Sequence, residues 1–174
     1  MKKTLLRFHR NCQSGFTLVE LLLVMALFAM LLTALTDMFV STMNVRSETA
    51  ANSSVTEDGR FMLSRIAYDI NRASSITTPA SLGASSSILE IVVDGVTFTY
   101  ELVGGNLQLT DMATGSNRTN NLNSSETTVS AVSFQRLGNA SGKDTIRLSF
   151  TLTSTTEQKQ GYRSETFTTT VGRR

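Results

Sequence analysis

The sequence predicts an α+β protein, a long N-terminal helix packed on an antiparallel β-sheet, and three observations predict it. Between Gly15 and Asp37 the chain is apolar with a single ionisable side chain, Glu20. From Val55 to Ala73 the apolar positions recur at spacings of three and four, the period of a half-buried helix. From Ile88 to Val171 the period drops to two, with Ser and Thr at many alternate positions.

The first run is a membrane span by length. About twenty-one residues at ~1.5 Å rise make a helix of roughly 30 Å, the thickness of a bilayer's hydrocarbon. Lys2, Lys3, Arg7 and Arg10 all precede it, which puts the N-terminus in the cytoplasm and everything after Asp37 outside. A carboxylate inside such a helix costs up to ~3 kcal/mol, so Glu20 needs a partner. Ala26, Ala29 and Ala34 lie within the apolar run at the wrong spacing, which argues against an ordinary secretory cut. Cys12 precedes that run, which argues against lipid attachment there.

The helix continues past the membrane. Asp37 to Ser54 is polar and mixed; then Val55, Gly59, Met62, Leu63, Ile66, Ile70 and Ala73 form one stripe, with Arg65, Asp69 and Arg72 on another face. Gly59 marks a bend or a close contact. The end of the helix is expected near Ser75, before Pro79.

The strands follow. Leu89, Ile91 and Val93 alternate, Asp94-Gly95 makes a two-residue hairpin turn, and Val96, Phe98, Tyr100 and Leu102 alternate with Thr97, Thr99 and Glu101. Gly104-Gly105-Asn106 turns the chain into a strand at 107–110. Further strands are expected at 129–136, 145–153 and about 164–171, giving one sheet over 88–171 with a single covered side, the helix supplying the cover. The polar segments 80–87, 113–125 and 138–143 read as surface loops, the longest being the candidate contact surface.

Composition narrows the function. The precursor's 16 Lys and Arg outnumber its 14 Asp and Glu, but four of the basic residues lie before Gly15; without them the chain carries −2, and its basic character is no argument for nucleic acid. The one Cys and the one His are Cys12 and His9, both ahead of Gly15, so the remaining chain has no disulfide, no Cys or His nucleophile or base, and no zinc site built on those ligands. No paired-carboxylate motif, phosphate-binding glycine loop or nucleophile elbow occurs. The expectation is therefore no enzyme, no cofactor and no metal. Asp111, Glu126 and Asp144 offer the oxygens a calcium ion takes, without EF-hand spacing, and read as solvated. Arg118, Arg136, Arg147, Arg163, Arg173 and Arg174 alternate with acids and lack aromatic interleaving, which argues against a nucleic-acid groove.

Gly15-Phe16-Thr17-Leu18-Val19-Glu20 after a short basic leader resembles the processing signal of type IV pilins and type II secretion pseudopilins at all six positions. The resemblance implies a pilin-like fold and cleavage between Gly15 and Phe16 by a prepilin peptidase, with N-methylation of Phe16. It places Glu20 as the fifth residue of the mature chain. It divides the protein into a leader at 1–15, a transmembrane and filament-core helix at 16–40, and a soluble domain at 41–174. The partners it implies are other major and minor pilin-like subunits, the peptidase and an inner-membrane assembly platform. Physically, cleavage exposes an amine at Phe16 near lipid, and Glu20 of a docking neighbour would neutralise it and set register. Small residues at Ala26, Ala29 and Ala34 would let helices approach closely.

Within the family, Arg60 to Ile66, Asp69 to Ala73, Tyr100-Glu101-Leu102 and Gly105-Asn106-Leu107 resemble J-type minor pseudopilins and W-type minor pilins, which sit at or near the filament tip and prime assembly. Glu20 separates the chain from the tip-most K-type. The lack of a C-terminal disulfide, and of a proline within the long helix, separates it from many major pilins. The alternatives are a major subunit, a minor pilin associated with DNA uptake, and a plain signal-anchored binding protein.

Overall fold

The structure, a computed structural model, describes residues 17–113, 116–138 and 142–174. The chain forms two compact units, Met1–Met43 and Asn44–Arg174. One helix, α1 (Leu18–Arg72), contributes to both.

In the first unit the described residues are all helix after Thr17, and every side chain is exposed. Leu, Met and Ala dominate, all good helix formers. Thr33 and Thr36 are absorbed by donating their hydroxyls to the carbonyls of Met30 and Leu32 at 2.9 and 2.8 Å.

In the second unit α1 buries Val55, Gly59, Met62, Ile66 and Ile70, the stripe that the spacing predicts. Gly59 is a close contact: a Cβ placed on it would overlap the ring of Phe167. That ring stacks on Phe150 with centroids 5.5 Å apart. The helix ends at Arg72 rather than near Ser75, because the next residues join the sheet: Ser74 N–H donates to Val92 O at 2.7 Å.

Among the described residues nine strands follow: β1 (Ser75–Thr78), β2 (Ser85–Ser86), β3 (Leu89–Val93), β4 (Val96–Val103), β5 (Asn106–Ala113), β6 (Ser116–Asn121), β7 (Thr127–Leu137), β8 (Thr145–Gln158) and β9 (Gly161–Gly172). The α+β class and the antiparallel pairing are as expected, but the single sheet is two. One has the order β1-β3-β4-β5-β6 and the other β2-β7-β8-β9. Alternation reports that a strand has one covered face and is silent on which strands share hydrogen bonds, so the split left no mark on the pattern. The two tight turns are as read. Asp94 and Gly95 have φ of 51° and 82°, Gly104 and Gly105 57° and 80°, the left-handed pairs that match the twist of a two-residue hairpin.

Two of the expected loops contain strands. Within 113–125, β6 pairs with β5 from Gln108↔Asn121 to Ala113↔Ser116. Its residues 117–121 are exposed on both sides, so no apolar alternation announces it. Within 80–87, β2 adds two residues beside β7. The strands at 107–110, 129–136, 145–153 and 164–171 are each longer than expected, β8 gaining the most by running on through Ser154 to Gln158.

The helix and both sheets close over one core. Met62, Ile66 and Ile70 of α1 meet Leu89, Ile91, Tyr100 and Leu107 of the first sheet and Phe134, Ile146, Leu148, Phe150 and Leu152 of the second, all fully buried.

Candidate functional site

Thr17 is the first described residue and caps the helix. Its hydroxyl oxygen accepts the Glu20 N–H at 3.2 Å and its carbonyl accepts the Leu21 N–H at 3.2 Å. Thr17-Leu18-Val19-Glu20 is the S/T-x-x-E pattern of a capping box, a signal present in the sequence that the membrane reading of this stretch passed over. The first turn also gives Glu20 an electrostatic place, since a carboxylate there faces the positive end of the helix dipole. Gly15 and Phe16 lie outside the described residues.

Behind Glu20 the helix contains an 18-residue window apolar enough to cross a membrane, none of it buried. Leu22, Met25, Phe28 and Leu32, like Ala26, Ala29 and Ala34, are exposed. An apolar surface of this extent requires lipid or another apolar partner.

Elsewhere the polar groups serve the fold. Asp69, grouped in the sequence with the charged face, is instead buried at 2 % exposure. It accepts the Tyr100 hydroxyl at 2.5 Å and the Arg65 Nε–H at 2.9 Å on the same oxygen. Burial, then the bond to Asp69 and its charge, push the Tyr100 phenol above its usual range. Asp58 accepts the Ser124 N–H, the Ser124 hydroxyl and the Thr127 hydroxyl at 2.9, 2.8 and 2.5 Å, fastening α1 to the segment that joins the two sheets. Buried Asn123 shapes that segment from within, accepting from Leu107 N and donating to Thr127 O.

The calcium candidates do not assemble. Asp144 is taken by Arg136 through two bonds, 3.1 and 2.9 Å, and no group of three His, Cys, Asp or Glu suited to a metal occurs among the described residues. Three of the six arginines are engaged within the fold. Arg136 turns to Asp144 and to the carbonyls of Ile76, Pro79 and Ala80, Arg173 also approaches Asp144, and Arg163 pairs with Glu165. Two open clefts along α1 are lined mainly by polar side chains, Ser53, Glu57, Asp58, Ser124 and Glu126 in one and Thr49, Asn52, Thr56, Glu57 and Arg60 in the other.

The feature that carries function is therefore the N-terminal segment, and residues 10–36 match the family model described as the prokaryotic N-terminal methylation motif. This chain carries a type IV pilin-like N-terminus. Its α+β architecture, a long N-terminal helix against antiparallel sheets, is consistent with a pilin-like fold. No curated protein and no solved structure matches the chain significantly. The motif implies processing by a prepilin peptidase and assembly with other pilin-like subunits, and together with the exposed apolar helix it supports anchoring in a membrane. It points to a structural subunit.

Proposed function

We propose that this protein is a minor pilin-like subunit, a pseudopilin in the secretion setting, that helps initiate or cap assembly of a type IV pilus or type II secretion pseudopilus. The precursor sits in the bacterial inner membrane with its N-terminus in the cytoplasm and its C-terminal domain outside. Residues 1–15 are the leader, 16–40 the membrane and filament-core helix, and 41–174 the soluble domain. Hydrolysis of the Gly15–Phe16 peptide leaves a carboxylate on Gly15 and an amine on Phe16; the amine nitrogen then takes a methyl group from an activated donor of the sulfonium class, which departs as a thioether, and gives up a proton. As the subunit leaves the membrane for the filament, Glu20 faces the Phe16 amine of a neighbour, and an ion pair in so apolar a setting fixes register. The inner-membrane assembly platform and the other subunits are its partners.

The observation that carries this reading is the methylation motif at residues 10–36, which lies over a wholly exposed apolar stretch of α1. The minor role is supported by the likeness of the 60–73 segment to J-type and W-type subunits and by the single cysteine at position 12, which leaves none for a C-terminal disulfide. Mass spectrometry of the protein from its native membrane is expected to find a chain beginning at N-methylated Phe16. Glu20→Gln is expected to be cut normally but to vanish from sheared filaments, because an ion left without its partner costs about 3–5 kcal/mol. A leader still carrying Cys12, or unimpaired assembly of Glu20→Gln, would sink the proposal.

A further inference from the structure

We propose that β9 is a pairing edge for a second copy of this chain: two β9 strands meet antiparallel about a two-fold axis at Ser164, joining the second sheets of the two copies. Such a pairing needs no cut at the leader and is separate from the helix contacts of a filament core.

Each sheet has two edges. An edge strand offers a row of unpaired N–H and C=O groups, which proteins blunt by shortness, proline or charge. β1 has four residues and runs into Pro79, β2 has two, and the one charge on β6 is Arg118, whose sign repels a copy of itself. β9 has twelve residues and no proline. Where the register with β8 shifts, β8 takes four steps from Thr153 to Glu157 while β9 takes two from Ser164 to Tyr162, so the bulge belongs to β8 and β9 is unbroken. Among the described residues no strand pairs with the outer side of β9.

The charges on β9 are of both signs and share a face. Arg163 and Glu165 lie 3.1 Å apart, both partly exposed. In a self-pairing centred on Ser164, Arg163 falls opposite Glu165 of the second copy and Glu165 opposite its Arg163, so four charges alternate in sign. The same register sets Tyr162 beside Thr166 of the second copy. Tyr162 is 56 % exposed, and an aromatic next to a β-branched residue is a favourable cross-strand pair. One register thus gives a place both to the charges on one face of β9 and to the bare ring on the other. A foreign strand would have to supply both complements separately, whereas a second copy does so by symmetry. The pairing is short, but two copies anchored by α1 in one bilayer meet at a high effective concentration. Being isologous, it closes on itself as a dimer and does not propagate.

The test uses the full chain in its native membrane, with Cys12→Ser so that introduced cysteines stand alone, and a short bifunctional thiol reagent. Ser164→Cys is expected to give a covalent homodimer, because cross-strand neighbours have Cβ atoms about 4.5–5.5 Å apart. Thr168→Cys, exposed on the same face, is expected to give none, since in this register the two copies of that position are offset by roughly 26 Å along the strands. In the Ser164→Cys background, Arg163→Glu and Glu165→Arg are each expected to yield about ten-fold less dimer, two attractive pairs having become repulsive. Both variants also lose the pair within the chain, so the decisive step is to co-express them, one carrying a size tag. The mixed dimer regains both opposite-charge pairs and is expected at the yield of Ser164→Cys alone. Absence of a homodimer, equal yields from Ser164→Cys and Thr168→Cys, or a mixed pair no better than either charge variant by itself overturns the proposal. So does a Ser164→Cys chain joined to a different protein, which would make β9 the seat of a foreign strand.

Discussion

Tyr100 and Asp69 show how a buried charge is made tolerable. The carboxylate is 2 % exposed and receives two donors, one neutral and one cationic, so its desolvation is offset by charge-assisted bonds. Tyr100→Phe keeps the ring in the core but leaves Asp69 with Arg65 alone. We expect a loss of about 1–3 kcal/mol, read as a lower urea midpoint at unchanged slope. The same pair predicts a pH dependence. The native phenol is held protonated above its usual range, while the unfolded phenol ionises near pH ~10. Its contribution is therefore complete below pH ~10 and is lost as pH rises toward the native pKa, by up to about 1.4 kcal/mol per pH unit, because the unfolded chain sheds a proton that the native chain keeps. Urea midpoints measured on both sides of pH 10 should fall for wild type and show no such component for Tyr100→Phe. None of this was legible in the sequence: Asp69 sits between Arg65 and Arg72 at helical spacing and looks solvated, and its partner lies 31 residues away on a strand.

At the scale of elements, helix and sheet are fitted by one missing side chain. Gly59 looks in the sequence like a flaw in the stripe from Val55 to Ala73; in the structure it is the space that the Phe167 ring occupies. Gly59→Ala improves helix propensity, yet we expect it to destabilise the domain by about 1–3 kcal/mol through overpacking. Phe167→Leu should recover part of that loss in the double variant while costing stability on its own, a coupling that thermal unfolding of the four proteins would show. An additive result would mean the ring moves aside freely. What was legible at this scale followed apolar periodicity, in the stripe and the cores of β3, β4, β5, β7, β8 and β9, or turn chemistry, in the two left-handed turns. What was not legible lacked it. β6 is polar on both sides, β2 is two residues long, and the division into two sheets is a matter of backbone pairing.

For the whole molecule, the two compact units differ in what they need from their surroundings. Residues 44–174 contain the entire buried core, whereas the described residues before them bury nothing. A chain of residues 44–174 is expected to be soluble without detergent and to unfold in one cooperative transition seen alike by far-ultraviolet and near-ultraviolet circular dichroism, because neither sheet has a core of its own. Two separated transitions would show that the sheets are independent. The candidate site was legible for a related reason. One carboxylate in an otherwise apolar run, with a basic leader ahead of it, is a local pattern that needs no tertiary structure to be recognised. The Thr17 cap was equally local, and was obscured only because the same residues also read as membrane.

The seat of Phe167 on Gly59 joins the earliest element of the chain to the latest. A chain emerging from the ribosome exposes the greasy side of α1 first, and the ring that finishes its cover arrives only with β9. Throughout that interval the helix has no permanent shelter, so the growing chain calls for a caretaker or for speed.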